Sequence, residues 1–156
     1  MKQVEINKEI NISEHFKLGE LTKTSHKTAD GNIPSRVAIE NLRNLCQNWL
    51  EDLRYSYSAL YQPAPIIINS GYRSPEVNRL AGGSATSNHL TGCAVDIRVA
   101  GFEQAIRYAS ILLDISDGTK RDFDELYIER NKAGSHWIHF AVKPKDNRRK
   151  SGFILT

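Results

Sequence analysis

The patterning of the chain predicts an α+β domain, a mainly antiparallel sheet with flanking helices. Two amphipathic helical stretches, four short strand-like runs and the lack of a regular strand–helix–strand alternation carry that expectation. At 156 residues, 40% hydrophobic and 25% charged, the chain has the size and composition of a single globular domain, read as residues 1–156.

The opening "ISEHFKLGEL" has an apolar rhythm, with Ser13 as the expected cap of a short helical turn. "ADGNIPS" collects turn formers ahead of the clearest helix. Over residues 35–53, Ile39, Leu42, Leu45, Cys46, Trp49, Leu50 and Leu53 recur at helical spacing and predict a core-facing stripe on which Trp49 packs and Cys46 is a buried thiol. "YQPAP" breaks the chain, and the β-branched run "IIIN" predicts a buried strand. A Gly-, Ser- and Asn-rich stretch follows, with a short helix expected from Pro75. In "CAVDIRV" the alternation turns Cys93, Val95, Ile97 and Val99 to one face and Ala94, Asp96 and Arg98 to the other. "FEQAIRYASILLDI" predicts the second amphipathic helix. "FDELYIE" and "HWIHFAV" predict an antiparallel hairpin around "RNKAGS".

The net charge of +3 is mild, and the one dense basic cluster, residues 143–150, lacks interleaved aromatic residues. It is read as a solvated tail or turn, and no nucleic-acid partner is expected. Residues 1–16 hold no apolar run of signal-peptide length, and no segment is long enough to cross a bilayer. The expectation is a chain made in the cytoplasm, without membrane insertion and monomeric. Two cysteines are too few for a disulfide framework.

Chemistry concentrates in "SNHLTGCAVDI" and "HWIHF". An aspartate in a half-buried strand needs a partner for its charge: an arginine such as Arg98 on the same face, backbone donors, or a metal ion. Catalytic zinc takes three protein ligands from His, Asp, Glu or Cys and keeps a fourth position open. His89, Asp96 and His139 supply such a set, and alternation places Asp96 and His139 where one cleft can receive both if their strands share a sheet. Cys93, inside the same motif, is turned away from Asp96 and is read as packing. His15 is expected to seat the N-terminal segment, and His26 to be exposed.

"SGYRSPEVNRLAGGSATSNHLTGCAVDI" followed by "HWIHF" resembles the M15 family of zinc peptidases, in particular its small D-alanyl-D-alanine carboxypeptidase-like and phage endolysin-like domains. Ser87, His89, Gly92 and Asp96 match the signature Ser-x-His-x-x-Gly-x-x-x-Asp, and His139 after Trp137 matches the later histidine. The likeness spans about residues 12–142, taken as the core of the domain. It implies a Hedgehog/DD-peptidase-like fold and one Zn2+ held by His89, Asp96 and His139. Arg73 would hold a developing oxyanion or a substrate carboxylate, and Ser87 would bind substrate or shape the loop before His89. The implied activity is metal-assisted hydrolysis of peptidoglycan stem peptides, at a D-Ala-D-Ala or an L-Ala-D-Glu bond, at the cell wall or periplasm by an export route not written in this sequence.

One position departs from the pattern. Many family members carry a Glu or Asp three residues before the last zinc histidine, where this chain has His136. His136 is therefore expected as general base, with Gly134 and Ser135 bending the strand to bring it round. Glu129 is the second candidate, expected opposite His136 in the hairpin, and Glu125 a weaker one. The missing carboxylate keeps open an alternative, a zinc-holding noncatalytic cell-wall binding module. A nucleic-acid binder using the basic C-terminal residues ranks last.

Overall fold

The computed structural model describes residues 6–156. Its first regular element is a 3₁₀ turn, Leu18–Leu21, that buries Leu18 and Leu21. The expected cap does not form there: the turn begins at Leu18, and Ser13 sits upstream of it beside Glu51. His15 anchors this segment, its Nδ1 standing 2.7 Å from Glu51 Oε1.

Helix α1 (Arg36–Leu45) starts where Ser35 Oγ accepts a hydrogen bond from the Ala38 amide at 3.1 Å. The helical path continues through a π turn (Cys46–Leu50) into α2 (Glu51–Leu60), past the end expected near Leu53. The extension follows from one more stripe position. Tyr57 is buried and packs edge-on against Tyr108, whereas the exposed Tyr55 and the neighbouring serines dilute the apolar pattern in sequence. The wider π turn lets Cys46, Trp49 and Leu50 all stay on the buried side. Trp49 meets Phe140 with ring centroids 5.2 Å apart, so it is a packing residue as expected.

Strand β1 (Ile68–Ser70), helix α3 (Pro75–Leu80), a 3₁₀ turn (Asn88–Thr91), β2 (Ala94–Arg98) and α4 (Phe102–Thr119) follow in order. The hairpin β3 (Glu125–Arg130) and β4 (His136–Ala141) and a last strand, β5 (Lys150–Leu155), complete the chain. The strands form one sheet in the order β1-β2-β4-β3-β5, antiparallel except for the parallel β3–β5 pair. The class is α+β, as the patterning predicts. Its core lies between one sheet face, carrying Val95, Ile97, Leu126, Ile138 and Phe140, and the helices α1, α2 and α4. Alternate residues of the same strands face a cleft on the other side.

Two further details differ from the expectation. The segment after Val142 does not end as a solvated tail. Arg148 and Arg149 pin it to Asp124, Asp117 and Asp122, and β5 then pairs with β3. The hairpin register is also offset by one residue: Glu129 pairs with Trp137, and Arg130 with His136. The hydrogen bond from Asn131 N to Ser135 O, at 3.1 Å, closes the turn tightly enough to set that register.

Gly92 decides how the metal-motif loop enters β2. Its φ is +73°, and a Cβ there would stand 2.4 Å from the Ala38 carbonyl oxygen of α1. Gly82 has a similar φ of +76° but open space around it. Chemical denaturation should separate the two effects. Gly92→Ala is expected to cost about 2–4 kcal/mol, backbone strain plus collision. Gly82→Ala should cost only about 1–2 kcal/mol, strain alone. Equal losses would contradict the close approach of the loop to α1.

Candidate metal centre and its cleft

The sheet register builds the centre. Asp96 on β2 pairs with His139 on β4, which in turn pairs with Tyr127 on β3, so one row of cleft-facing residues crosses three strands. The 3₁₀ turn before β2 brings His89 over this row. Asn41 of α1 secures that turn by donating to the Thr91 carbonyl at 2.9 Å. Ligand atoms of His89, Asp96 and His139 all lie within 4.8 Å of one another. His89 is 2% exposed and Asp96 9%.

Three observations show that this donor set fits a zinc ion. Ligands about 2.0–2.1 Å from a tetrahedral zinc stand about 3.3 Å apart. His89 Nε2 to Asp96 Oδ2 is 3.4 Å and His139 Nδ1 to Asp96 Oδ1 is 3.2 Å, long for charged hydrogen bonds and close to that edge length. His89 Nδ1 is 2.7 Å from the Gly71 carbonyl, which can only accept, so the ring's proton resides there and Nε2 is left for an ion. His139 Nε2 is 3.1 Å from Glu125 Oε1, which likewise leaves Nδ1 facing the triad. Gly71 is required for the first of these contacts, because a Cβ there would lie 2.3 Å from the Leu21 carbonyl oxygen.

The charges are mutually compensating. Burial alone would raise the Asp96 pKa, but the neighbouring imidazoles, His139 ahead of His89, outweigh it and hold the carboxyl well below the usual range. Burial alone would lower the His139 pKa, but Asp96 and Glu125 prevail and push it up to about 9. Glu125 is held low, chiefly by His139 and then by Asn88. Glu129 moves the other way, because burial raises its pKa above the ordinary carboxylate value.

The cleft around the triad has a volume of about 860 Å³. Arg73 lines it on the β1 side, donating from Nη2 to Asp96 Oδ2 at 3.1 Å and from Nε to Ser70 Oγ at 3.0 Å. Arg98, the same-face arginine, instead reaches Asn69 and leaves Asp96 to Arg73. Ser87 lines the cleft and accepts from the His89 amide at 3.2 Å, so it shapes the turn as well as facing the cavity. Glu125, Tyr127 and Glu129 project into the cleft from β3, and Trp137 from β4.

His136 is not among them. It falls on the opposite face of β4, beside Phe102 with centroids 5.4 Å apart, in an apolar pocket with Ile128 and Phe153. The expected bend is absent because β4 is already regularly paired at His136, and alternation over three residues reverses the side chain. The base role expected for His136 is therefore corrected. Glu129, opposite Trp137 rather than His136, shares the cleft with the triad and, unlike Glu125, is not engaged by His139. Cys93 is buried away from Asp96. His26 is half-buried and lines a small pocket shared with Arg73.

Several contributors carry no motif in sequence. Asn32, buried with φ +53°, donates to the Thr22 and Tyr72 carbonyls and accepts from the Ser74 amide, so it clamps the chain on both sides of Arg73. Asn88 donates to Asp124 and Glu125 at 2.8 and 2.7 Å. Lys143 and Arg148 line the cleft beyond Glu125.

Two histidines and a carboxylate converging in an open cleft, with further carboxylates beside them, form the equipment of a mononuclear metallohydrolase. The family described as Peptidase M15 matches residues 14–127, and the chain belongs to it. Peptidases of this family are generally zinc-dependent. No curated protein matches the chain.

Metal binding should follow the proton on His139. In the metal-free protein this ring is protonated below about pH 9, and loading must expel that proton. Competition titrations should find zinc affinity rising about tenfold per pH unit from about pH 7 toward pH 9 and levelling above it. An affinity independent of pH over that range would mean that the ion displaces no proton from His139.

Proposed function

We propose that the protein is a zinc-dependent metallopeptidase that hydrolyses peptide bonds in peptidoglycan stem peptides, with His89, Asp96 and His139 as the metal ligands. Membership of a peptidase family supports the hydrolase class. The stem-peptide substrate rests on the resemblance of "SGYR…GGS…SNHLTGCAVDI…HWIHF" to wall-directed members of that family.

The observation that carries the catalytic reading is the position of Glu129, a carboxylate in the cleft of the triad whose pKa is raised by burial. A zinc ion supplies, when bound, a Lewis acid and a water of lowered pKa. Glu129 accepts the proton of the attacking water on its carboxylate and passes it to the leaving amine. A pKa moved toward neutrality suits both halves of that transfer. Arg73, oriented by Asp96, Ser70 and the Asn32 clamp, presents its guanidinium to the carbonyl oxygen as negative charge develops, or to a substrate carboxylate. Ser87 offers a hydroxyl at the cleft wall.

The alternative, a zinc-holding noncatalytic binding module, rests on the missing carboxylate at the motif position; the place of Glu129 in the cleft supports the catalytic reading. Digestion of muropeptides with and without zinc, read by mass spectrometry, tests both. Glu129→Gln is expected to lower kcat by about 10²–10⁴ while retaining zinc. His136→Ala, altered on the far face of the sheet, should stay within about twofold of the parent. A zinc-loaded protein that cuts no stem peptide would favour the binding module, and undiminished turnover by Glu129→Gln would remove Glu129 as base.

A further inference from the structure

The cleft contains a second cationic wall. Asp124, immediately before β3, has no exposed surface. Arg148 grips it along one edge of the guanidinium, Nε to Oδ1 at 3.0 Å and Nη2 to Oδ2 at 2.7 Å, and its backbone amide donates to Oδ1 as well. Asn88 donates to Oδ2 at 2.8 Å. Those donors already satisfy one carboxylate, yet Lys143 also places its Nζ 3.4 Å from Oδ1. Glu125, the other acidic neighbour at 3.6 Å from Arg148, is engaged by His139. Two cations thus share one carboxylate, leaving a surplus of positive charge. Both side chains remain part-exposed, at 32% and 45%, and both line the cleft.

Their location gives that surplus a direction. Arg73 touches Asp96, Asp96 touches His139, His139 touches Glu125, and Glu125 touches Arg148. The triad therefore lies between Arg73 on one flank and Arg148 with Lys143 on the other. A guanidinium fixed bidentately by a buried carboxylate cannot swing away, so its remaining N–H groups are preorganised for an anion, and such pairs are the strong, directional ones.

We propose that Arg148 and Lys143 form a carboxylate-binding subsite on the flank of the triad opposite Arg73, with Asp124 as the residue that positions Arg148. This rests on the peptidase reading and narrows its substrate class. The preferred peptide carries a free carboxylate on the Arg148 side of the scissile bond, in addition to any group held by Arg73.

The test compares L-Ala-D-Glu stem-type peptides whose glutamate carboxylate is free or amidated. The parent protein should prefer the free acid by about tenfold or more in kcat/KM, the difference residing in KM. That preference should fall toward unity in Arg148→Ala and by at least about threefold in Lys143→Ala, with Arg148→Lys intermediate. Arg148→Ala strips Asp124 of its main partner, so Lys143→Ala, which preserves the Arg148–Asp124 pair, keeps the test independent of folding. Binding of the same two peptides to metal-free protein, followed by chemical-shift changes, should reproduce the preference without turnover. If neither peptide is cut but the free acid still binds better through Lys143, the function reading fails and the subsite stands. Equal treatment of the two peptides by the parent, or a preference unchanged in Lys143→Ala, overturns the subsite.

Discussion

The pairing of Asp96 with His139 across β2 and β4 is the constraint on which the centre depends. A carboxylate only 9% exposed cannot keep its charge without partners, and the fold surrounds it with three: His89, His139 and Arg73. Each arrives from a different segment, and each is fixed by a contact of its own. Gly71 holds His89, Glu125 holds His139, and Ser70 with the Asn32 clamp holds Arg73. A shift of one residue in the register would turn His139 into the core and Ile138 or Phe140 into the cleft. The apolar alternation of β2 and β4 that packs against the helices is thus also what aims the polar face.

That coupling ties stability to chemistry. The core face commits Val95, Ile97, Ile138 and Phe140 to burial, and the opposite face is left to carry the carboxylates and imidazoles. The charged groups there are linked in a chain running from Arg73 to Arg148, so removing Asp96, His139 or Glu125 leaves a neighbour without its partner. The same chain separates the roles of two nearby glutamates. Glu125, bound to His139, has its pKa lowered, and Glu129, burdened mainly by desolvation, has it raised.

Much of this was legible in the sequence because it rests on local period. Alternation in "CAVDIRV" and "HWIHFAV" placed Asp96 and His139 on one side of their strands, and helical spacing identified the stripe of α1 and its continuation to Leu53. Contributions that depend on long-range pairing were not legible. Arg148 meets Asp124 across 24 positions, and the basic run containing it looks like a solvated tail until β5 closes it against β3. Asn32 reaches 42 positions to Ser74 from within a stretch of turn formers. The base role expected for His136 needs a bend that the regular pairing of β4 excludes. Plain alternation already placed it opposite His139, and the one-residue offset in the hairpin gave Glu129 its place beside Trp137.

Two imidazoles and one carboxylate from separate segments are placed to hold a single ion. X-ray absorption of the zinc-loaded protein measures this most directly. The expected first coordination sphere is nitrogen and oxygen only, at about 2.0–2.1 Å, with scattering from two imidazole rings. A sulfur neighbour at about 2.3 Å, or a sphere without imidazole, would contradict it.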